Sequence, residues 1–165
     1  MSEPRFRVTP LDATYKRISF NSGSDPLDRY FQRQVMQDVH RRVTACFVAL
    51  TSERRIAGYY TLSAASMLLA DLPSSIGKKL PRYPSVPTVR MGRLAVDQDF
   101  KGQGLGGALL ADAMSRAVSS EIAAYALVVD AKDEGSAAFY LHHGFIPLPD
   151  SPLTLFLPLA TVTKI

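Results

Sequence analysis

Apolar positions fall into two periods along this chain, one of about two residues and one of about three and a half. Short apolar stretches rich in β-branched and aromatic residues occupy 6–11, 43–51, 56–66, 88–97, 125–131, 145–148 and 154–159, which predicts strands. Ser52-Glu53-Arg54-Arg55 makes a hairpin turn between the second and third. Leu27, Tyr30, Phe31, Val35 and Val39 recur instead at helical spacing, after Asp25 as cap and Pro26 in the first turn. Residues 108–119 and 134–142 predict two more helices, the second closed by Gly144. Stretch 125–131 is almost wholly apolar, as in a strand covered on both faces. That predicts parallel pairing with 88–97, with helix 108–119 as the crossover. Pro73, Pro81, Pro84 and Pro87 predict an irregular loop over 71–88, and loops that long are often functional. The expected fold class is α/β, of the mixed-sheet α+β kind, in one domain spanning 1–165.

Composition narrows the class. A 47% apolar and 21% charged chain of 165 residues can bury a core. No apolar run approaches the roughly 20 residues of a membrane span, and the first residues lack the apolar core of a signal peptide. The expectation is a cytoplasmic protein without a membrane partner. Cys46 is the only cysteine, so an internal disulfide is excluded; its apolar neighbours predict a buried small hydrophobe. The net charge of +4 permits a polyanionic partner. The exposed face of helix 27–39 carries Arg29, Gln32, Arg33, Gln37, Arg41 and Arg42, a pattern that fits plain solvation or a polyanion. His142 and His143 are adjacent and point about 100° apart on a helix, so they cannot chelate one metal. No Cys/His/carboxylate cluster has metal spacing, and no metal is expected.

The candidate chemistry lies between residues 88 and 119. Strand 88–97 leads through Lys101-Gly102-Gln103-Gly104-Leu105-Gly106-Gly107 into a helix. Four glycines in six residues let successive amides converge at a helix N-terminus, an arrangement that binds phosphate. Gly102, Gly104 and Gly107 match G-x-G-x-x-G, and Asp130 lies near the place of a ribose-binding acid. Against a dinucleotide fold, four residues separate the strand from the glycines, and only 58 residues follow Gly107.

Lys101-x-x-Gly104-x-Gly106 resembles the Q/R-x-x-G-x-G/A pyrophosphate loop of the GNAT N-acetyltransferase superfamily, with lysine in the cation's place. Phe139-Tyr140-Leu141-His142-His143-Gly144-Phe145 resembles the F/L-Y-x-x-x-G-F element that ends that superfamily's coenzyme-binding half. The resemblance implies a strongly twisted mixed sheet flanked by helices, with acetyl-CoA as co-substrate. It implies that Leu94, Ala95 and Val96 hold the pantetheine arm, and that Lys101, Gly102, Gln103, Gly104, Leu105, Gly106 and Gly107 hold the diphosphate. Asp133 stands where the superfamily often has a coenzyme-contacting asparagine, seven residues before the tyrosine. Tyr140 takes the place of the phenol that points at the coenzyme sulfur. Acetyl transfer expels a thiolate of pKa near 8.5, which a phenol can protonate.

Further likeness covers F-x-x-G-x-x-x-L-D-x-Y-F at 20–31, then 58–63, 87–96, 129–133 and 153–159. It resembles the GNAT toxins of type II toxin–antitoxin modules, with Ser22 where that group usually has cysteine. This implies acetylation of the α-amine of aminoacyl-tRNA, arrest of translation, a small ribbon-helix-helix antitoxin and a homodimer. An α-amine has a pKa near 8, lowered further by esterification, so it needs little help from a base. Arg90, Arg93, Lys78, Lys79 and Arg82 are the residues expected to meet the tRNA phosphates. Acetylation of a small amine or protein N-terminus, and a non-catalytic coenzyme- or RNA-binding module, are the alternatives.

Overall fold

The computed structural model of this chain describes residues 5–162. The strands are β1 (Arg7–Pro10), β2 (Ala45–Leu50), β3 (Ile56–Leu68), β4 (Ser85–Val96), β5 (Ala126–Asp130), β6 (Ile146–Leu148) and β7 (Ser151–Pro158). The α-helices are α1 (Asp25–Arg33), α2 (Val35–His40), α3 (Ser74–Gly77), α4 (Leu105–Ser119) and α5 (Glu134–His142). The strands form one mixed sheet in the order β1-β2-β3-β4-β5-β7-β6. The expected mixed α/β class and the parallel β4–β5 pairing are present: Thr88 faces Ala126 and Met91 faces Val129. Among the described residues, no helix is long and apolar enough to cross a membrane. The chain falls into two compact units, Met1–Ser63 with Gly92–Ala113 and Ala64–Met91 with Met114–Ile165.

In the first unit, the helical apolar stripe meets the β2–β3 hairpin. Phe20, Tyr30, Phe31, Val35, Cys46, Val48, Leu50, Ile56, Tyr59 and Ala95 form its core. Phe31 stacks on Tyr59 with ring centroids 4.2 Å apart, and Phe20 meets both edge-on. The Tyr59 hydroxyl donates to the Leu27 carbonyl at 2.7 Å, so its polar tip is paired inside the core. Cys46 is buried as expected, and burial pushes its thiol up to about 12. One glycine is required here by proximity. A Cβ on Gly58 would lie 2.8 Å from Leu109 Cδ1 and 3.0 Å from the Ala95 carbonyl, so β3 meets α4 and β4 without a side chain between them.

The helical stripe at 27–39 departs from the expectation of one helix. The first helix ends at Arg33 and the second starts at Val35, with Gln34 between them. Arg17 covers the break by donating Nη1 to the Phe31 and Gln32 carbonyls at 2.9 and 3.3 Å. The cap also sits one residue earlier than expected, at Ser24; Asp25 is already helical and places its charge in the first turn.

In the second unit, Met67, Leu72, Val86, Ala126, Val128, Leu148 and Phe156 form the core, with Leu69, Ile76 and Leu80 packed on it. Those contacts correct the expected irregular loop. Residues 69–71 form a 3₁₀ turn, 74–77 form α3, and β4 starts at Ser85. The prolines are tolerated because of where they fall. Pro73 is the N-cap of α3, and Pro87 precedes the first β5 pair and offers only its carbonyl, to the Tyr125 N–H at 2.8 Å. Thr88 is buried, and its Oγ1 has no hydrogen-bond partner among the described residues.

Two stability changes of opposite sign are expected. Gly58→Ala overpacks the β3–α4 contact and should cost about 1–3 kcal/mol, seen as a lower urea midpoint at unchanged slope. Thr88→Val replaces an unpaired buried hydroxyl by a methyl of like shape and should raise stability by about 1 kcal/mol. An unchanged midpoint for the first, or a lowered one for the second, contradicts this account of the packing.

Candidate active site

Four glycines are expensive to order, so their backbone angles matter. Gly102 has φ +78° and Gly104 has φ +79°, in the left-handed region that other residues rarely adopt. A Cβ at either would meet nothing within 4 Å. Backbone conformation therefore requires these glycines, whereas packing requires Gly58. Helix α4 starts at Leu105 rather than at the expected 108, so Gly106 and Gly107 form its first turn. The early start follows from Leu105, which is buried together with Leu109 and Leu110 and fixes the first turn to the core. The Ala108 N–H bonds the Gly104 carbonyl at 3.1 Å, so the amides of residues 105–107 precede the helical ladder. Donors at a leading helix end, with open space beside two left-handed glycines, fit a diphosphate.

The approach to this turn is fixed at several points. The Asp97 N–H donates to the Ala57 carbonyl at 2.8 Å as β4 ends. Asp97 is only 3% exposed, and its carboxylate accepts from the Asn21 N–H at 3.0 Å, the Asp99 N–H at 3.0 Å and Arg55 Nη2 at 3.3 Å. Arg55 also pairs with Asp99 at 2.5 Å and lies over the Phe100 ring. Lys101 Nζ donates to the Ser22 carbonyl at 2.6 Å. The expected phosphate cation is thus tethered to the turn at 20–24. Sequence reading missed Asp97 as a site-shaping residue. The available signal was a carboxylate ending an apolar strand directly before a glycine turn.

On β4, Ala95 is buried while Leu94 and Val96 are half-buried. The two strand arginines have different surroundings. Arg93 lies 3.4 Å above the centre of the Tyr30 ring, and its backbone N–H donates to Thr61 Oγ1 at 3.1 Å. The Tyr30 hydroxyl in turn donates to Asp38 at 2.7 Å; burial, then that bond, raise its pKa. Arg90 is exposed and pairs with Asp130, whose other oxygen accepts from Thr154 Oγ1 at 3.0 Å. Asp130 is therefore engaged by an arginine of the neighbouring strand. Lys78, Lys79 and Arg82 are exposed at and after the end of α3. So the second unit holds Arg90, Lys78, Lys79 and Arg82, and the first unit holds Arg93.

The second unit also holds Tyr140, on α5. Asp133 caps that helix: its carboxylate accepts from the Ser136 N–H at 2.8 Å, and this bond holds its pKa below the usual carboxylate range. Gly144, at φ +92°, closes the helix as expected, with its N–H on the Leu141 carbonyl at 3.0 Å. Tyr140 is buried between Phe139 and Phe145, with ring centroids 5.2 and 5.5 Å away. Burial alone pushes its phenol up to about 12. No hydrogen bond to its hydroxyl forms among the described residues. Among the described residues the buried side-chain polar atoms without a partner are Arg17 Nε and Thr88 Oγ1, so the Tyr140 oxygen lies open to another molecule. Among the described residues, no group of three or more His, Cys, Asp or Glu is placed to hold a metal ion.

Comparison with known proteins shows the family. Residues 9–145 match the model of the Acetyltransferase (GNAT) family. A tRNA-acetylating toxin of Mycobacterium tuberculosis is 36% identical over 94% of this chain and 91% of its own length. The solved structure of AtaT complexed with acetyl-methionyl-tRNAfMet is 32% identical, with a TM-score of 0.88 over 95% of this chain and 96% of AtaT. A mutant AtaT toxin bound to the C-terminus of the antitoxin AtaR and acetyl-CoA is 26% identical, with a TM-score of 0.82 over 96% of both chains. The family match over residues 9–145 and the 36% identical relative place the chain in the GNAT acetyltransferase family.

Proposed function

We propose that this chain transfers the acetyl group of acetyl-CoA to the α-amine of aminoacyl-tRNA, and so arrests translation as the toxin of a toxin–antitoxin module. The observation that carries acetyl transfer is the glycine turn, whose left-handed residues face open space at the leading end of α4. The acceptor is supported by the likeness to a tRNA-acetylating toxin and to AtaT with its acetylated tRNA. The AtaT complex with AtaR supports an antitoxin partner. We assign that partner to the small ribbon-helix-helix class, and the active form to a homodimer of single-domain chains in the cytoplasm.

In this reading, Lys101 and the amides of residues 102–107 bind the diphosphate, and the backbone of Leu94, Ala95 and Val96 holds the pantetheine arm. A β4 amide polarises the thioester carbonyl as the amine attacks. Asp133 supports the site by fixing the start of α5, the helix that carries Tyr140. Tyr140 donates to sulfur as the carbon–sulfur bond breaks. A phenol near 12 is a weaker acid than a thiol near 8.5, so full proton transfer is uphill even once the charge on sulfur has developed. Tyr140 therefore acts through its donated hydrogen bond, which strengthens as that charge develops, and the released thiolate takes its proton from solvent. The attacking nitrogen loses its own proton to water. Arg90, Arg93, Lys78, Lys79 and Arg82 meet the acceptor phosphates; Arg90 and Arg93 are held in place by Asp130 and Tyr30.

The test is to incubate the protein with labelled acetyl-CoA and total charged tRNA, together with small amines and peptides. Label on the aminoacyl α-amine is expected; label on small amines or peptides alone overturns the acceptor assignment. Tyr140→Phe should retain acetyl-CoA binding while kcat falls about 10²–10⁴-fold, with loss of growth inhibition. Unchanged turnover removes Tyr140 from the acid's role. The pH profile follows from the direction of the phenol's shift. The protonated form is required and persists up to about 12, so kcat should rise through the amine's pKa and stay level at pH 10. A fall centred on pH 10 would mean an unshifted phenol. Replacing Lys78, Lys79 and Arg82 by alanine should raise KM for tRNA alone and reduce the salt slope of binding by about 2–3.

A further inference from the structure

The reaction just described leaves the turn at 20–24 without a role, although three of its consecutive residues contact the segment that enters the glycine turn. The Asn21 N–H donates to Asp97 Oδ2 at 3.0 Å, and the Gln98 N–H donates back to the Asn21 carbonyl at 2.8 Å. The Ser22 carbonyl accepts Lys101 Nζ at 2.6 Å. Gly23 has φ +90°, and a Cβ there would meet Gln98 Nε2. The turn is itself fixed. Asp28, in the first turn of α1, accepts from the Ser22 N–H at 2.9 Å and from Ser22 Oγ at 2.6 Å. On its far side Asp97 receives the Asp99 N–H and Arg55. A buried carboxylate needs partners of this kind, and here they come from the turn at 20–24, from the segment entering the glycine turn and from Arg55.

We propose that Asp97 is a positioning residue for the coenzyme's diphosphate. It acts through the turn at 20–24, which aims the Lys101 ammonium and fixes the entry to the glycine turn. The inference rests on the coenzyme reading given above. Glycines lose more freedom than other residues when ordered, so an entry fixed beforehand removes part of that loss from binding. Lysine has three donors. One is taken by the Ser22 carbonyl, which leaves two for an anion. Asn21, Gly23, Gln98, Asp99 and Lys101 are exposed, so this device stands outside the aromatic core.

A purely structural role and a positioning role separate when two acetyl donors are compared. Acetyl-CoA carries the diphosphate; S-acetylpantetheine does not. In the full chain, Asp97→Asn and Gly23→Ala should each raise KM for acetyl-CoA about tenfold, the effect of one lost charge-assisted hydrogen bond. Saturated kcat and kcat/KM for S-acetylpantetheine should stay within about twofold. Gln98→Ala in the Gly23→Ala background should recover little of the loss, because the exposed Gln98 side chain can move aside and the strain lies in the φ of +90° at position 23. Equal losses with both donors, or no loss with either, in variants of unchanged melting temperature overturn the proposal. Should Asp97→Asn not fold, Gly23→Ala and its double variant decide alone. Wild-type protein that uses both donors equally well would instead refute the diphosphate reading itself, before any variant is made.

Discussion

The leading end of α4 lies where it does because position 58 has no side chain. Leu109 and the Ala95 carbonyl occupy the volume a Cβ would need, so β3, β4 and the helix meet at contact distance. Close packing of this kind has low compressibility, and it fixes where the helix starts. Leu105, Leu109 and Leu110 complete the anchor from the helix side. The amides that precede the ladder are therefore held by core packing rather than by the exposed turn before them. Glycine has opposite uses here: at 58 it removes volume, while at 102 and 104 it supplies a backbone angle.

The approach to that helix carries the polar counterpart of this anchor. A turn of exposed glycines between two ordered elements would otherwise be the least stable part of its unit. Asp97 limits this by collecting donors from Asn21, Asp99 and Arg55 at one buried point. Such a carboxylate stays buried only while those donors remain, so the segments around it hold one another in register. The hydrophobic core sets where the helix is. The Asp97 cluster sets how the chain enters it.

Much of this was readable in the sequence where one period dominated. The span of α5, the β2–β3 hairpin and the parallel β4–β5 pair with its crossover all followed from local patterns. The errors came where tertiary contacts override local preference. Prolines at 73, 81, 84 and 87 argued for an irregular loop, yet Leu72, Ile76 and Leu80 tie that segment to the core with a short helix inside it. Glycines at 106 and 107 argued for a later helix start, but buried Leu105 pulls them into the first turn. The apolar stripe from 27 to 39 showed a face but not the break at Gln34, because both helices present that face to one core. At the site, the glycine turn and Tyr140 were visible as residue types at fixed spacing. The roles of Asp133 as a cap and Asp97 as a cluster centre were not, since each depends on which donors the fold brings to a carboxylate.

That no hydrogen bond reaches the Tyr140 hydroxyl among the described residues bears on how the proposed chemistry divides. Burial raises the phenol, which keeps it protonated at neutral pH, so no phenolate is present to take a proton. A residue of that kind cannot activate an amine, so the acceptor must arrive already nucleophilic. An ordinary lysine side chain, with a pKa near 10.4, is almost wholly charged at neutral pH and would need a base. An α-amine next to an ester is largely neutral there and needs none. The enzyme's effort can then go to holding the thioester and to the departing sulfur, which is where the glycine turn and the phenol are assigned. Selectivity for an aminoacyl ester over a protein lysine would on this view follow from the amine's own pKa, before any contact with the nucleic acid is made.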